Sequence, residues 1–481
     1  MTIFPHEQPP VRIGLFGVGL DTYWEQFDGL YDRLSSCLQH MHVLLETTGA
    51  LVVNAGLVDN ADKAFAAGLA FKQQDVDLIF LYTTTYALSA TILPVVRKAQ
   101  APVVVLNLSP EARMDYAAFN ALNDRTKMTG EWLAHCGSCP VPEIANVFKR
   151  AGIPFHQVTG ILYGDEHVEN EIKEWVAAAG VMRTMRENRL GVMGHYYSGM
   201  LDIYTDLTLQ NVVFGGHIEM IEVDELSALR ESVSAEAIRE KTAVFTTFFD
   251  MAEDCPPAEI ERAAHTAVAL DELVARYRLG SLAYYYKGSG NAQNERTMSS
   301  IILGSSLLTA RHIPVAGEYE IKNAQAMKIM DGFGAGGSFT EYYAMDFVDD
   351  VVLMGHDGPC HPQIAEGKIK VRPLKVYHGK VGLGLSVEMS VKQGPVTLLS
   401  VSESRDGRLR FIVAEAESVS GPVLEIGNTN SRYRFPLPAR EFVERWNAEG
   451  PAHHCAIGEG HIASGIIKLG KLLDVETVVV C

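Results

Sequence analysis

The sequence predicts an α/β chain that ends in an antiparallel β domain, and three observations predict it. Short apolar runs alternate with amphipathic helical stretches over roughly the first two thirds, the pattern of doubly wound parallel sheets. From about Lys368 the apolar period changes to two, as in an antiparallel sheet or small barrel. The length of 481 residues suggests three domains at roughly 100 to 200 residues each. The boundaries are read as 1–156, 157–325 and 326–481.

The first strand is Val11 to Phe16, followed by an amphipathic helix from Tyr31 to Glu46. The runs Ala50 to Asn54, Val76 to Tyr82 and Pro102 to Leu108 are too apolar for one exposed face, so they read as buried parallel strands. Helices Ala61 to Lys72 and Ser89 to Gln100 separate them. Gly17 and Gly19 follow the first strand, but Thr22 stands where the dinucleotide fingerprint needs a third glycine, so no nucleotide site is inferred. A second α/β segment is placed from Phe155, with strand Val158 to Tyr163, a helix from Asp165 to Ala179 and strands Arg189 to Met193 and Ser281 to Tyr286. The loops Gly194 to Gly199 and Lys287 to Gly290 fall at carboxyl ends of strands, where open sheets hold ligands. A helical region, Ala235 to Arg278, is broken by Pro256-Pro257. Near the C-terminus the predicted strands are Lys375 to Tyr377, Gly384 to Val391, Thr397 to Ser402, Arg408 to Glu415 and Pro422 to Ile426.

Composition narrows the function. Hydrophobic residues make 47% and charged residues 21% of the chain, the usage of a folded enzyme. Lys and Arg number 41 against 59 Asp and Glu, a net charge of −18. Such a surface repels phosphate backbones and anionic lipids, so neither nucleic acid nor membrane is an expected partner. A small neutral or cationic molecule is. No run of 18 apolar residues occurs and the first residues lack a secretory pattern, so a cytoplasmic location is expected. Seven cysteines at irregular spacing are read as thiols.

Candidate chemistry concentrates in Ala316 to Pro362. Glu318, Glu320, Glu341, Asp346, His356, Asp357 and His361 stand there among glycines and apolar runs. Carboxylates beside apolar runs need a partner or a metal, so the cluster reads either as a metal site or as caps and surface loops. Further on, His453 and His454 are adjacent. In an extended segment they point to opposite faces, so only one can serve a given site. Cys136-Gly137-Ser138-Cys139 lacks the second half of a zinc site and reads as packing at the start of a helix, with thiol reactivity second.

Glu318 in GEYEIKNA, Glu341 in GGSFTEYY, His356 in VVLMGHDG and His454 in GPAHHC resemble, in order and spacing, the two glutamates and two histidines that bind manganese in the L-fucose/L-arabinose isomerase family. The resemblance runs from about Ala283 to the C-terminus and includes GPVTLLS and EIGNTNSRYRF; before that only the order of elements is similar. It implies two α/β domains followed by a C-terminal β-barrel, assembled as a homotrimer or homohexamer with sites shared between subunits. It also implies a metal-dependent aldose-ketose isomerase acting on a free pentose or hexose, such as an L-arabinose-like or L-fucose-like sugar, through a cis-enediol. Glu318 and Glu341 are then both ligands and acid/base pair, with His356 and His454 as ligands of Mn²⁺, or of Co²⁺ or Mg²⁺. Lys287, Tyr342, Tyr343, Asn430 and Arg432 are candidate sugar contacts. In the N-terminal domain His135 is a candidate for closing over the sugar of a neighbouring subunit, and Asp21 and Trp24 for a hydroxyl acceptor and a stacking ring. The runner-up readings are a metal-dependent sugar or sugar-acid dehydratase or epimerase, and a non-catalytic sugar-binding regulator; four intact ligands argue against the regulator.

Overall fold

The computed structural model describes residues 10–481 except Ser289, His378, Gly379 and Gly382. Ser289 of the predicted Lys287 to Gly290 loop, and the first nine residues on which the location was read, thus lie outside the described residues. The chain divides into two compact units, one reaching to Arg183 and the other running from Thr184 to Cys481.

The first unit is built on five parallel strands: β1 (Arg12–Val18), β2 (Leu51–Val58), β3 (Leu78–Tyr82), β4 (Val103–Ser109) and β5 (Phe155–Ile161), in the order β2-β1-β3-β4-β5. The apolar runs are buried as their composition demands: Phe16, Ile79, Leu81, Val103 and Val105 form one core with Phe71 and Phe148 from the covering helices. One expectation is corrected. The strand assigned to a second α/β segment is β5 of this first sheet, paired in parallel with β4 from Val103↔Phe155 onward. Helix Val141–Ala151 is the crossover between the two, so Phe155 continues the first winding rather than starting another.

A second correction concerns the cysteines. Cys136 and Cys139 are joined by a disulfide, because the 3₁₀ turn Cys136–Ser138 folds the chain back and brings the Cα atoms to 5.5 Å, within bridging range. Cys37, Cys255, Cys360 and Cys455 are buried thiols, and Cys481 is a half-buried one.

In the second unit, β6 (Arg189–Gly194), β7 (His217–Ile221), β9 (Ser281–Tyr285) and β10 (Val315–Ala316) form a four-stranded sheet in the order β10-β9-β6-β7, while the short β8 (Asp250–Met251) pairs elsewhere. Helices Ala235–Phe248 and Pro257–Tyr277 flank the predicted break at the two prolines. The strands that follow are β11 (Ser338–Asp346), β12 (Val351–His356), β13 (Lys370–Pro373), β14 (Val376–Tyr377), β15 (Lys380–Val381), β16 (Leu385–Glu388), β17 (Gly394–Glu403), β18 (Leu409–Val419), β19 (Thr429–Arg434), β20 (Cys455–Glu459) and β21 (Glu476–Val479). Seven of them make a mostly antiparallel sheet, β17-β20-β11-β12-β19-β18-β21, and β17 also pairs with β18. Its core side carries Val352, Met354, Leu398, Ile412 and Tyr433.

Pro422 to Ile426, expected as a strand, pairs with nothing in a ladder. Pro422 has no N–H to offer, and side chains take the place of a neighbouring strand. The Asn430 side chain accepts from Leu424 N–H and donates to Leu424 C=O, both at 2.8 Å, and Arg432 donates to the Pro422 carbonyl at 3.2 Å. The strand is β19, a few residues later.

Candidate metal centre

Three neighbouring strands bring the central side chains together. β11 lies between β20 and β12, with Thr340 opposite Cys455 on one side and Glu341 opposite Gly355 on the other. Glu341 therefore stands between His454, just before β20, and His356, the last residue of β12. Gly355 makes the approach possible: a Cβ there would fall 1.8 Å from the Thr429 carbonyl oxygen of β19. Phe339, two residues before Glu341, packs both imidazoles, with ring centroids 4.5 Å from His356 and 4.4 Å from His454. The two imidazoles meet edge to face at 5.0 Å.

The fourth residue arrives from the other sheet. β10 ends at Ala316, and the turn Gly317 to Glu320 leads into helix Ile321–Gly332. Glu318 and Tyr319 both adopt left-handed backbone angles, φ +56° and +62°. Two such non-glycine residues in succession cost on the order of 1 kcal/mol or more each, a strain typical of functional sites. The turn is held by Tyr319 N–H donating to the Tyr284 carbonyl at 2.9 Å and Glu320 N–H to Gly317 C=O at 2.9 Å. It places Glu318 and Glu320 on either side of His454. Glu318 Oε2 is 3.3 Å from His454 Nε2, and Glu320 Oε2 is 3.5 Å from His454 Nδ1.

One ligand atom from each of Glu341, His356 and His454 lies within 4.8 Å of the others, and the same holds for Glu318, His453 and His454. Electrostatics follow from this crowding. Burial opposes the Glu318 carboxylate, yet the imidazoles around it, His454 first, hold its pKa below the ordinary value. Burial likewise presses His454 down, but Glu318 and Glu320 together raise it to about 9. His356, buried and repelled by His454, is lowered. Its Nδ1 is engaged by the Asp357 carbonyl, which leaves Nε2 for the site. The buried atoms Glu318 Oε2 and His454 Nε2 face one another at 3.3 Å without hydrogen-bond geometry and have no other hydrogen-bond partner among the described residues. Two carboxylates and two imidazoles, with Glu318 and His454 meeting in a buried contact that lacks hydrogen-bond geometry, fit a borderline divalent cation.

The two histidines do not face opposite ways. Residues 451–454 are not a strand, because β20 begins only at Cys455. The rings of His453 and His454 lie 3.7 Å apart between centroids. His453 is held by Asp202, whose Oδ2 accepts from its backbone N–H at 2.9 Å and lies 2.6 Å from its Nδ1. Burial resists the Asp202 charge, but His453 keeps its pKa well below the usual carboxylate range. Neither Asp202 nor Phe339 was singled out by sequence; Asp202 sits in an ordinary short turn, and Phe339 reads as one more strand residue.

A cavity of about 440 Å³ opens beside the cluster, lined among others by Tyr284, Tyr285, Lys287, Glu318, His356 and Asp357. Of the expected sugar contacts, Lys287 lines it. Tyr342 packs edge-on against Phe442 at 6.3 Å, and burial raises the pKa of its hydroxyl. Tyr343 accepts from the Asn428 side chain at 3.2 Å, and Asn430 is engaged by Leu424. Arg432 is buried and ion-paired with Asp346 at 3.5 Å and with Asp349, so its charge is already compensated. In the first unit, Trp24 donates to Asp59 at 2.8 Å and meets Tyr31 edge-on at 5.2 Å, while Asp21 is exposed. His135 contacts Glu131 and Arg33, each at 3.2 Å.

Residues 336–476 match the family model of the L-arabinose isomerase C-terminal domain. Three of the four converging side chains, Glu341, His356 and His454, fall inside that match, and Glu318 precedes it. No curated protein matches the chain at a significant level. Among solved structures, a periplasmic solute-binding protein of an ABC transporter from Actinobacillus succinogenes 130z with bound D-allose is 12% identical, over 64% of this chain and 95% of that one, with a TM-score of 0.16. D-Lactate dehydrogenase from Salmonella is 10% identical, over 67% and 95%, also at 0.16. Neither score carries an argument about fold or function. Among the described residues no helix is long and apolar enough to cross a membrane.

Proposed function

We propose that the chain is a metal-dependent aldose-ketose isomerase acting on a free, uncharged sugar. The observation that carries this reading is the convergence of Glu318, Glu341, His356 and His454 beside a cavity, with three of them inside the segment that matches the arabinose isomerase domain. These four residues would hold Mn²⁺ or a similar divalent ion, which supplies Lewis-acid polarisation of the sugar carbonyl when bound.

The chain's own groups account for the proton movements. Isomerisation takes a proton from C2, returns one to C1 and moves another between O2 and O1. Glu341, between the two histidines, accepts the C2 proton, and Glu318, at the cavity wall, serves the hydroxyl oxygens, giving a cis-enediol on the way. The carboxylates Glu318, Glu295 and Asp357 line the cavity with Lys287 as a cation, which favours neutral sugars over phosphorylated or acidic ones. We read the pairing circuit from β17 through β20, β11, β12, β19 and β18 back to β17 as the C-terminal barrel. Asp21, Trp24 and His135 are proposed to complete the site of another copy in a homo-oligomer.

Incubation of the Mn²⁺-loaded protein with a panel of aldoses and ketoses tests the reading. Aldose-to-ketose conversion with solvent deuterium entering the product supports it. A dehydrated or epimerised product, or no turnover of any sugar, overturns it.

A further inference from the structure

Glu320 is fully buried, and a carboxylate in that position requires a partner. It occupies the N-cap position of helix Ile321–Gly332 and makes no capping hydrogen bond. Its Oε2 is directed instead to His454 Nδ1, and its Oε1 has no partner among the described residues. The strained Glu318-Tyr319 backbone produces this arrangement, since it turns the chain so that the two carboxylates flank opposite nitrogens of one imidazole. A neutral imidazole with a metal on one nitrogen must carry its proton on the other, and an acceptor fixed at that second nitrogen decides which is which.

We infer that Glu320 is the positioning residue for His454: it accepts from Nδ1–H, fixes the ring plane and reserves Nε2 for the divalent ion. Glu320 itself touches neither metal nor sugar. The inference rests on the metal-centre reading above. It adds a separate residue with its own signature, because what His454 needs at Nδ1 is an acceptor rather than a charge.

Two substitutions distinguish an acceptor from a packing group. Glu320→Gln keeps an oxygen that can face Nδ1–H, whereas Glu320→Met keeps the length and removes the acceptor. Mn²⁺ binding measured by calorimetry on folded, full-length protein is expected to stay within about threefold in Glu320→Gln and to weaken about 10- to 100-fold in Glu320→Met. Imidazole ¹⁵N spectra of metal-free protein, taken above pH 10 so that His454 is neutral, give a readout that needs no metal. Parent and Glu320→Gln are expected to show the Nδ1–H form, and Glu320→Met to lose that preference. Equal Mn²⁺ affinity and equal tautomer in Glu320→Met and parent overturn the inference, as does an equal loss in both variants. A parent that binds no Mn²⁺ yet shows the Glu320-dependent tautomer leaves the positioning role standing and removes the metal reading instead.

Discussion

His453 and His454 meet at 3.7 Å between ring centroids with their planes tilted by 41°, yet their partners differ: Asp202 holds the first at the partly exposed rim, while Glu318 and Glu320 enclose the second. His454 belongs to both ligand groups and His453 to one. His454→Ala is therefore expected to abolish measurable Mn²⁺ binding, and His453→Ala to weaken it by about tenfold or less. Calorimetric titration of both variants decides, and the opposite order would move the ligand assignment by one residue.

Glu341→Gln retains one oxygen for a metal but cannot take a proton from carbon. Sugar binding should survive in part, while exchange of the C2 hydrogen with deuterated solvent falls by at least about 100-fold. Normal exchange in this variant excludes Glu341 as the base.

Chelation should abolish turnover, and Mn²⁺ should restore it better than Mg²⁺, because two imidazoles favour a borderline ion. Since the neighbouring carboxylates raise His454 to about 9, a proton competes with the metal at Nε2 below that pH. Mn²⁺ affinity should consequently rise with pH up to about 9, with proton release on binding seen as a buffer-dependent heat. An affinity independent of pH between 6 and 9 contradicts this.

His361 is fully buried, and both its ring nitrogens lack partners among the described residues. Burial lowers its pKa from 6.5 to about 4 despite the nearby Asp331. The unfolded chain thus binds a proton that the folded one refuses, so stability present above pH 6.5 is lost as pH falls towards 4, by roughly 3 kcal/mol. Urea titrations of His361→Leu should show a shallower acid loss than the parent.

Replacing Cys136 and Cys139 together by Ser removes a four-residue loop closure and should cost roughly 2 kcal/mol or less. Turnover should remain within about threefold, measured in parallel with a thiol count that confirms the parent disulfide.

Much of this was legible in the chain. The buried parallel strands are continuous apolar runs, and the period-two alternation after Lys368 reports a sheet with one covered face. Glu318, Glu341 and His356 were legible as members of a larger carboxylate and histidine cluster, and only the resemblance to the isomerase family singled them out together with His454. What escaped depends on distance. Asp202 reaches His453 across 251 positions, a pairing no local pattern encodes. The strand expected at Pro422 failed because apolar content alone does not reveal that Asn430 and Arg432 satisfy its backbone. The histidine pair was misjudged because an extended conformation was assumed one residue before the strand begins. Arg432 looked available by charge, and only the fold discloses Asp346 and Asp349 beside it.

The insertion of β20 between β11 and β17 also sets an order of events. During synthesis, β11 and β12 emerge about a hundred residues before Cys455, with Glu341 and His356 already on adjacent strands. His454, the residue common to both ligand groups, joins them only once the segment that carries β20 has taken its place between β11 and β17. Such late pairing between distant segments is slow to form. On the proposed metal-centre reading, a chain cut short before position 454 keeps three of the four ligands and lacks His454, the one that both ligand groups share.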